Sequence, residues 1–432
     1  MTDAGAGTVT GSDAEVHYSP YDYSVHEDPY PTYARLRAEA PLYRNDEFDF
    51  WALSRHADVL AAFRDPAHLS NRFGVTLDPA AYGPHAHKSM SFLAMDPPRH
   101  TRMRSLVSKA FTTRRVAELE PEIRALAVEY LDAAVEMGSF DMVGDVAGKL
   151  PMDVISQMIG VPASDRAEVR RLADLLVHRE EGVFDVPQEG MEAALVLAGY
   201  FGDMVIERRR SRRHDLTSGL IDAVVDEGDA GAAQGDRLSD DEIISFLFLM
   251  VVAGNETTTK LLANAWFWAW RFPEQKAKAL GDPDRAPQWV EETLRYDTSS
   301  QMLLRVTTGE VELRGTVIGD GERVLLLIGS ANRDDEVFEE PDRYDLDRDT
   351  SKLISFGGGR HFCLGAPLAR LEARVMLDQQ RDIGDFATQH TSRQRFPHWV
   401  IRRAPRGCSA RPTPYVEPST FRSMSRSGPI ST

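Results

Sequence analysis

The most informative part of this chain is a glycine-rich stretch of ten residues that contains one cysteine: Phe356-Gly357-Gly358-Gly359-Arg360-His361-Phe362-Cys363-Leu364-Gly365. An amphipathic run with helical spacing, residues 366–377, follows directly. Glycine adopts backbone geometry that other residues avoid, and it lets the backbone approach a flat ligand closely. Free backbone N–H groups in such a loop, and the N-terminal dipole of the following helix, stabilise a thiolate. The stretch therefore predicts a Cys363 thiolate held at the start of a helix.

A cysteine thiolate is one of the axial ligands that proteins supply to haem iron, where it favours O–O bond cleavage. The decapeptide resembles the haem-binding loop of the cytochrome P-450 family, F-G-x-G-x-H-x-C-x-G, and every fixed position is filled. The resemblance implies haem b as the cofactor, Cys363 as the iron ligand, and further cofactor contacts from Phe356, Gly357, His361 and Gly365. The alternative is a buried structural cysteine beside a flexible loop, which leaves the surrounding pattern unexplained.

A long helix is predicted to start at residue 239. Ser239 and Glu242 have the spacing of a capping box, in which each side chain bonds the backbone N–H of the other residue. The apolar pattern then continues to Phe272, and Pro273 ends it. Such a helix is roughly 50 Å long. Because it is apolar nearly all round, it is expected to cross the middle of the molecule.

The middle of this helix, residues 253–258, reads Ala-Gly-Asn-Glu-Thr-Thr. Glycine costs roughly 1 kcal/mol in a helix relative to alanine, and threonine is a weak helix former. An unpaired buried carboxylate costs more, and such local violations are typical of functional positions. The segment resembles the family's oxygen-activation motif, A/G-G-x-D/E-T. The resemblance implies that Ala253 and Gly254 make room for haem and dioxygen, that Thr257 hydrogen-bonds the dioxygen, and that Glu256 relays protons. The alternative is a threonine back-bonded to a carbonyl beside an acid that is paired in the core.

Three family-like segments carry candidate partners for the two haem propionates, which need cationic or donor side chains. His100 and Arg104 are spaced i, i+4 in a segment that resembles the family's C helix. Arg305 stands where the family keeps its propionate arginine, and His361 precedes the cysteine by two residues. For each side chain taken alone, the alternative is a solvated surface position.

Glu292 and Arg295 are spaced i, i+3 on one face of a predicted helix. Their place between the long helix and the cysteine loop resembles that of the family's E-x-x-R pair. The resemblance implies a structural role, an internal ion pair that meets Arg343 or a neighbour, rather than a catalytic one.

Helical spacing dominates the rest of the chain. Helices are predicted at residues 31–39, 55–63, 100–118, 119–137, 165–180, 189–213 and 287–296. Short strands are predicted at residues 48–53, 311–313, 316–318 and 322–328, and a long loop at 71–94. The expected fold class is mainly α with a minor antiparallel β region, which agrees with the cytochrome P-450 fold and its long central helix over haem.

Composition divides the chain into three parts. Residues 1–20 are expected to form a disordered leader, residues 21–389 a single haem-thiolate catalytic domain, and residues 390–432 an atypical Arg/Pro/Ser-rich C-terminal segment. That last segment carries eight arginines and one acidic residue, Glu417, and departs from the family pattern. Its final part lacks the apolar residues needed to offset ordering entropy, so a chain that ends at Val416 is expected to fold and bind haem.

Length, charge and cysteine count exclude several classes of protein. The 432 residues are 42% hydrophobic, which suffices for a large buried core. The two cysteines, Cys363 and Cys408, cannot build a disulfide framework, which is typical of the reducing cytoplasm. A net charge of −17 argues against nucleic acid as a partner. The longest apolar stretch is too short for a membrane span.

The family resemblance implies a haem-thiolate monooxygenase of the soluble bacterial type, and the cysteine usage predicts a location in the cytoplasm. It is expected to insert one oxygen atom of O2 into a small hydrophobic substrate by hydroxylation or epoxidation, for example a secondary metabolite, a steroid or another terpenoid. The expected pocket residues are Leu249, Val252, Ala253, Gln301 and Met302. Electrons are expected from NAD(P)H through a ferredoxin-type carrier and its reductase, because the chain contains no flavin or iron–sulfur segment. The expected docking face contains Arg102, Arg114, Arg115 and Arg360.

Two other functions are compatible with the cysteine loop. One is a peroxide-driven peroxygenase, against which the Glu256–Thr257 pair argues, because peroxide brings its own protons. The other is a non-enzymatic haem-thiolate sensor or docking protein, which turnover with a surrogate reductase would distinguish from an enzyme.

Overall fold

The computed structural model describes residues 15–137, 140–178, 185–225 and 235–382. Residues 1–14 of the expected leader, the whole segment 390–432 and Cys408 therefore lie outside the described residues. Helix dominates the described parts, as the sequence predicts. The longer helices are α2 (Tyr30–Glu39), α3 (His56–Phe63), α5 (Arg99–Ala110), α7 (Glu120–Met137), α8 (Leu150–Ile159), α9 (Arg166–Val177), α10 (Gln188–Arg210), α12 (Asp240–Arg271), α13 (Pro273–Gly281), α14 (Ala286–Tyr296) and α16 (Ala366–Asp382). Shorter ones are α1 (Tyr23–Glu27), α4 (His87–Met90), α6 (Thr113–Glu118), α11 (Leu216–Asp222) and α15 (Ile328–Ala331).

Helix α12 is the long central helix that the sequence predicts. The Ser239 hydroxyl accepts the Glu242 N–H at 3.2 Å, and the Ser239 N–H donates to Glu242 Oε2 at 3.0 Å. The helix spans 32 residues and ends at Arg271, just before Pro273 opens α13. It packs against α8, α10, α14 and α16. A helix surrounded in this way must be apolar on most of its faces, which explains its composition.

The β structure is larger than predicted. Five strands form one sheet in the order β1-β2-β7-β4-β3: β1 (Leu42–Asn45), β2 (Phe50–Leu53), β3 (Leu69–Ser70), β4 (Leu303–Thr307) and β7 (Arg323–Leu326). The β2–β7 pair is parallel and the other pairs are antiparallel. Strands β5 (Val311–Leu313) and β6 (Thr316–Ile318) coincide with two predicted strands and pair as an antiparallel hairpin. Strands β1, β3 and β4 were not predicted, because they are not preceded by a glycine turn, as the similarly short β5 and β6 are.

Two further expectations are corrected by the structure. The segment 71–94 is not loop throughout, because it contains α4 and a 3₁₀ turn at Ser91–Ala94. Residues 15–20 of the expected leader are packed: Val16 and Tyr18 are buried, and the Tyr18 ring lies 6.2 Å from Phe50. Aromatic side chains bury a large apolar area, so ordered packing begins earlier than residue 21. No helix in the described ranges has both the length and the apolar character needed to cross a membrane.

Candidate active site

Cys363 lies in the loop between a 3₁₀ turn at Gly359–His361 and the start of α16. The Cys363 N–H donates to the Phe356 carbonyl at 3.0 Å, which closes the loop. Gly357 and Gly359 have φ of +72° and +63°, in the left-handed region that favours glycine. A Cβ on Gly359 would lie 2.5 Å from the Phe63 carbonyl oxygen. Both glycines are therefore required for the position of the cysteine.

Opposing effects act on the pKa of the Cys363 thiol, which is raised overall because burial is the largest of them. Burial raises the pKa of the thiol, while backbone N–H groups of Gly365 and Ala366 and the Arg104 guanidinium lower it. The Cys363 side chain is solvent-accessible. A metal cation at this position would complete the stabilisation of the thiolate.

One face of α12 is not covered by protein. Ala253 is exposed in the middle of this otherwise buried helix, and Leu249, Val252, Glu256 and Thr257 are half-buried. These five residues have the i, i+3, i+4, i+7, i+8 spacing of a single helix face. The uncovered face is apolar except for Glu256 and Thr257.

Gly254 also makes room for a neighbouring helix. A Cβ on Gly254 would lie 2.1 Å from Ile155 Cδ1 of α8. The missing side chain therefore allows α8 to pack closely against α12.

Glu256 and Thr257 both have protein partners. The Thr257 hydroxyl donates to the Ala253 carbonyl at 2.8 Å, and Glu256 Oε1 lies 2.7 Å from Lys260 Nζ. This is the back-bonded threonine and paired acid of the structural alternative. It is compatible with the functional interpretation as well, because the Thr257 oxygen retains acceptor capacity on the uncovered face. Lys260 was missed by the sequence analysis, although its i+4 spacing from Glu256 is a recognisable signal.

The four residues expected to hold propionates form one cluster. The rings of His100 and His361 are 4.1 Å apart. Burial, followed by the charges of Arg104 and Arg360, lowers the pKa of His100 to about 4. Burial likewise lowers the pKa of His361, with smaller effects from His100 and Arg305. Burial lowers the pKa of Arg305 to about 10, and only Asp96 opposes this. The cluster is thus rich in cationic groups and poor in anions.

Orphaned polar atoms in this cluster test whether haem fits. Both ring nitrogens of His100, Nη1 of Arg104 and Nδ1 of His361 are buried without hydrogen-bond partners among the described residues. Buried donors of this kind are costly when unpaired. Two carboxylates at the edge of a porphyrin would pair with them, and Cys363 offers the iron ligand. The residues present therefore fit a haem group.

Comparison with known proteins agrees with this geometry. Residues 286–380 match the family profile Cytochrome P450. Cytochrome P450 123 of Mycobacterium tuberculosis (strain ATCC 25618 / H37Rv) is 57% identical over 371 residues, which cover 86% of this chain and 90% of that protein. The chain belongs to the cytochrome P450 family. P450s bind haem and are monooxygenases, and the fold of this P450 is the family's fold.

Two further P450s provide comparisons of chemistry and structure. The vitamin D(3) 25-hydroxylase of Pseudonocardia autotrophica is 39% identical, over 86% of this chain and 89% of that protein. The crystal structure of CYP109E1 from Bacillus megaterium, in complex with corticosterone, matches with a TM-score of 0.73 at 32% identity. That match covers 83% of this chain and 91% of the crystallised one.

The structure does not place Gln301 as a polar anchor of this P450's pocket. The Gln301 amide is buried, and its Nε2 donates to the Thr298 carbonyl at 2.8 Å and to Tyr30 Oη at 3.2 Å. A Cβ added to Gly329 would clash with the Gln301 Oε1. Met302 packs against the aromatic cluster near the N-terminus, where its sulfur accepts the Tyr18 hydroxyl at 3.4 Å. Gln301 therefore belongs to the core: its amide N–H groups have partners, and its Oε1 is buried without a hydrogen-bond partner among the described residues.

Arg102 does not belong to an open docking face. Its guanidinium contacts Asp236 and donates to Glu242 Oε1 at 2.7 Å, which ties α5 to the start of α12. Its pKa is raised, first by the Asp236 hydrogen bond. Arg114, Arg115 and Arg360 are exposed, as that face requires.

Glu292 and Arg295 form a buried ion pair within α14. Arg295 Nη2 also donates to the Arg343 carbonyl at 3.2 Å, so the contact with Arg343 is made by its backbone. The side chain that approaches Glu292 is Arg348, whose Nε lies 3.5 Å from Oε1. The pair thus joins α14 to the segment before the cysteine loop.

Proposed function

We propose that this P450 inserts one oxygen atom of O2 into a small, hydrophobic, steroid-like or other terpenoid substrate, with electrons delivered by a separate ferredoxin-type carrier. The observation that carries the proposal is the uncovered face of α12. It offers Leu249, Val252 and Ala253 to an apolar molecule and places Glu256 and Thr257 on the same face. Burial of apolar surface is the main source of affinity for such a ligand.

Two relatives support the substrate class. One is named for the hydroxylation of vitamin D(3), and the other was crystallised with corticosterone. Both ligands are small molecules with a mainly apolar carbon skeleton, and a pocket with few polar groups suits molecules of that kind.

The chain's own residues have distinct roles in this proposal. Cys363, with the N–H groups of its loop, would hold haem, and His100, Arg104, Arg305 and His361 would bind its propionates. Haem with a thiolate ligand supplies the cleavage of the O–O bond of dioxygen. Phe356 and Gly357 would form the wall of the loop beside the cofactor, and Gly365 lies against the Cys363 sulfur.

Proton delivery would involve Glu256 and Thr257. Thr257 Oγ1, held at the Ala253 carbonyl, offers its lone pairs to the uncovered face. Glu256 is half-buried and paired with Lys260 one turn away. Rotation of its carboxyl from Lys260 toward Thr257 would carry a proton from solvent to the reacting oxygen, a step worth roughly 10²–10⁴-fold.

The balance of the reaction requires two electrons and two protons for each substrate. Substrate, O2, NAD(P)H and a proton give the oxygenated product, water and NAD(P)⁺. An acidic ferredoxin-type carrier would dock on the exposed arginines Arg114, Arg115 and Arg360. Phe362, which follows Arg360 by two residues, is 44% exposed and would add apolar contact area. Complementary charge on the two partners raises the association rate and selects the carrier.

A reconstituted assay tests the proposed function. The purified holoprotein is titrated with vitamin D3, corticosterone and a fatty acid of similar mass, and ligand binding is followed by the displacement of the Soret band. Bound compounds are then incubated with a surrogate ferredoxin, its reductase, NADPH and ¹⁸O2. We expect one ¹⁸O atom in the product, and product only when the carrier is present. Equal turnover with hydrogen peroxide alone would identify a peroxygenase, and binding without product under any condition would identify a sensor.

A further inference from the structure

Three consecutive glycines of the cysteine loop lie against one residue of α3, Phe63. A Cβ added to Gly357 would lie 3.6 Å from Cε1 of the Phe63 ring, and one added to Gly358 would lie 3.3 Å from the Phe63 Cβ. A Cβ on Gly359 would meet the Phe63 carbonyl oxygen at 2.5 Å. Phe63 is the last residue of α3, which packs against the 3₁₀ turn of the loop. The turn that leads to Cys363 is therefore shaped around this one residue.

Gly358 shows that the fit is not a backbone requirement alone. Its φ is −154°, an extended conformation that any residue adopts. The left-handed geometry of Gly357 and Gly359 therefore does not explain it. The atoms nearest to a Cβ at this position are the Phe63 Cβ and Leu60 Cδ1, at 3.3 and 3.4 Å. Glycine at position 358 thus allows the loop to approach α3 closely.

The face of the Phe63 ring contacts a buried cation. Arg305 Cζ lies over the ring, 5.3 Å from its centroid. Phe63 is 5% exposed and Arg305 is 2% exposed, and the attraction between a guanidinium and an aromatic ring is stronger when both are removed from water. Arg305 Nη1 also donates to the Leu304 carbonyl at 2.7 Å. Burial lowers the pKa of Arg305 to about 10, which leaves the side chain charged at pH 7.

We propose that Phe63 is a positioning residue of the haem site, which fixes the thiolate loop and a propionate-binding arginine relative to each other. The ring edge and the carbonyl of Phe63 seat the glycine turn before Cys363, and the ring face orients the Arg305 guanidinium. These two residues come from separate elements, the loop before α16 and strand β4. A binding site is precise only when packing locks the side chains that form it. The inference rests on the proposed roles of Cys363 as the iron ligand and Arg305 as a propionate partner.

Replacements at position 63 can separate the two contacts. Phe63→Leu removes both the edge and the face of the ring, whereas pentafluorophenylalanine at this position keeps nearly the same shape but reverses the charge distribution over the ring face. Arg305→Lys keeps the charge and loses the planar guanidinium. Val59→Ala is the control, because Val59 is fully buried on the same helix and belongs to the same apolar cluster.

Each holoprotein is compared with wild type in three measurements. The rate of haem release is followed by transfer of haem to excess apomyoglobin, and it reports how firmly the site holds the cofactor. The fraction of reduced, CO-bound protein that keeps the red-shifted Soret band reports whether the thiolate ligand stays in place. Thermal unfolding reports the general stability of each variant.

We expect Phe63→Leu to release haem about 10-fold faster than wild type and to lose part of the red-shifted band, because both contacts are gone. The pentafluorophenylalanine variant should release haem at least about threefold faster but keep the band, because the loop is still seated. Phe63→Leu combined with Arg305→Lys should exceed the faster single variant by no more than about threefold, since residues in contact are not additive. Val59→Ala should lose thermal stability, as Phe63→Leu does, with haem release within about twofold of wild type.

Three results would overturn the inference. Equal haem release in Phe63→Leu and Val59→Ala, at equal loss of thermal stability, would show that Phe63 contributes packing alone. A full red-shifted band in Phe63→Leu would show that the ring does not seat the loop. Wild-type haem release in the pentafluorophenylalanine variant would show that the ring face does not orient Arg305.

Failure of the proposed haem contacts gives a different pattern. If Arg305→Lys released haem at the wild-type rate, the proposed propionate contact would be wrong, and the Arg305 half of the inference would fall with it. The CO spectrum of Phe63→Leu would still decide the half that concerns the loop. If Cys363→Ser kept the red-shifted band, the proposed iron ligand would be wrong, and the loop half would fall whatever the Phe63 variants show.

Discussion

Arg295 and Glu292 form a bidentate ion pair. Nε and Nη2 of the guanidinium donate to Oε2 and Oε1 of the carboxylate, each at 2.8 Å. Both side chains are at most 1% exposed. Arg295 Nη1 also donates to the carbonyls of Asn332 and Pro341, at 3.1 and 2.9 Å. One buried guanidinium thus joins α14 to the chain segment that leads to the cysteine loop.

We expect Glu292→Ala to lower the free energy of unfolding by about 3–5 kcal/mol, because it leaves the Arg295 charge buried and uncompensated. Chemical denaturation of the holoprotein measures the change. Arg35→Ala is the control: it breaks the exposed Arg35–Glu39 pair, whose atoms are 2.9 Å apart, and should cost at most about 1 kcal/mol. Similar losses in the two variants would show that the buried pair has no special structural role.

Much of this architecture was predictable from local patterns. The capping box at Ser239 and Glu242 and the stop at Pro273 define α12 because helix ends are determined by neighbouring residues. The glycines around Cys363 were informative for the same reason, since their φ values are set within the loop itself.

Other features depend on contacts between distant parts of the chain. Strand β2 pairs with β7 about 270 residues later, and no local signal encodes that parallel pairing. Gly254 was interpreted through a motif, but its missing Cβ accommodates Ile155 of α8. Gln301 and Arg102 are hydrogen-bonded to residues from remote elements. Their partners, and hence their roles, could not be read from spacing along the sequence.

Replacement of the cysteine tests the proposed haem ligand. We expect Cys363→Ser to lose the strongly red-shifted Soret band that reduced, CO-bound thiolate haem shows, because an alcohol does not provide the same electron donation. Cys408→Ser should retain that band. If the Cys408 variant lost the band and the Cys363 variant kept it, Cys408 would be the haem ligand and the proposed assignment would be wrong.

Removal of the Thr257 hydroxyl should uncouple electron use from product formation. Thr257→Ala is expected to bind haem and consume NAD(P)H, with electrons diverted to peroxide, and to lose about 10-fold or more in product. The control is Thr259→Ala, since the Thr259 hydroxyl bonds the Asn255 carbonyl at 2.9 Å and the Ala147 carbonyl at 3.3 Å. Simultaneous measurement of NAD(P)H, peroxide and product distinguishes the two variants. Equal coupling in both would contradict the proposed role.

A larger side chain on the uncovered face of α12 should exclude bulky ligands. We expect Val252→Phe to weaken binding of a steroid-sized ligand by about 10-fold or more, because the added ring occupies space that the ligand needs. The CO spectrum should persist. Val317→Phe, at a position on β6 that is 62% exposed, should leave binding unchanged. The affinity of both variants is measured by titration with the ligand that the wild-type protein binds most tightly. Unaltered affinity in the Val252 variant would show that the pocket lies elsewhere.

The pKa of Glu372 predicts a pH-dependent stability. Burial raises this pKa from an ordinary value of 4.5 to about 8, against which the Thr258 hydroxyl acts weakly. Between these values the folded protein binds a proton that the unfolded chain releases. The stability contributed by the protonated acid is therefore fully present below the unfolded pKa and is lost as pH rises toward 8, with a slope of at most about 1.4 kcal/mol per pH unit. Glu372→Gln has no proton to release, so its stability relative to wild type should rise from pH 5 to pH 8, whereas Gln380→Leu should run parallel to wild type. Urea denaturation at four pH values across that range measures the difference, and parallel curves for the Gln variant and wild type would show that Glu372 ionises normally in the folded state.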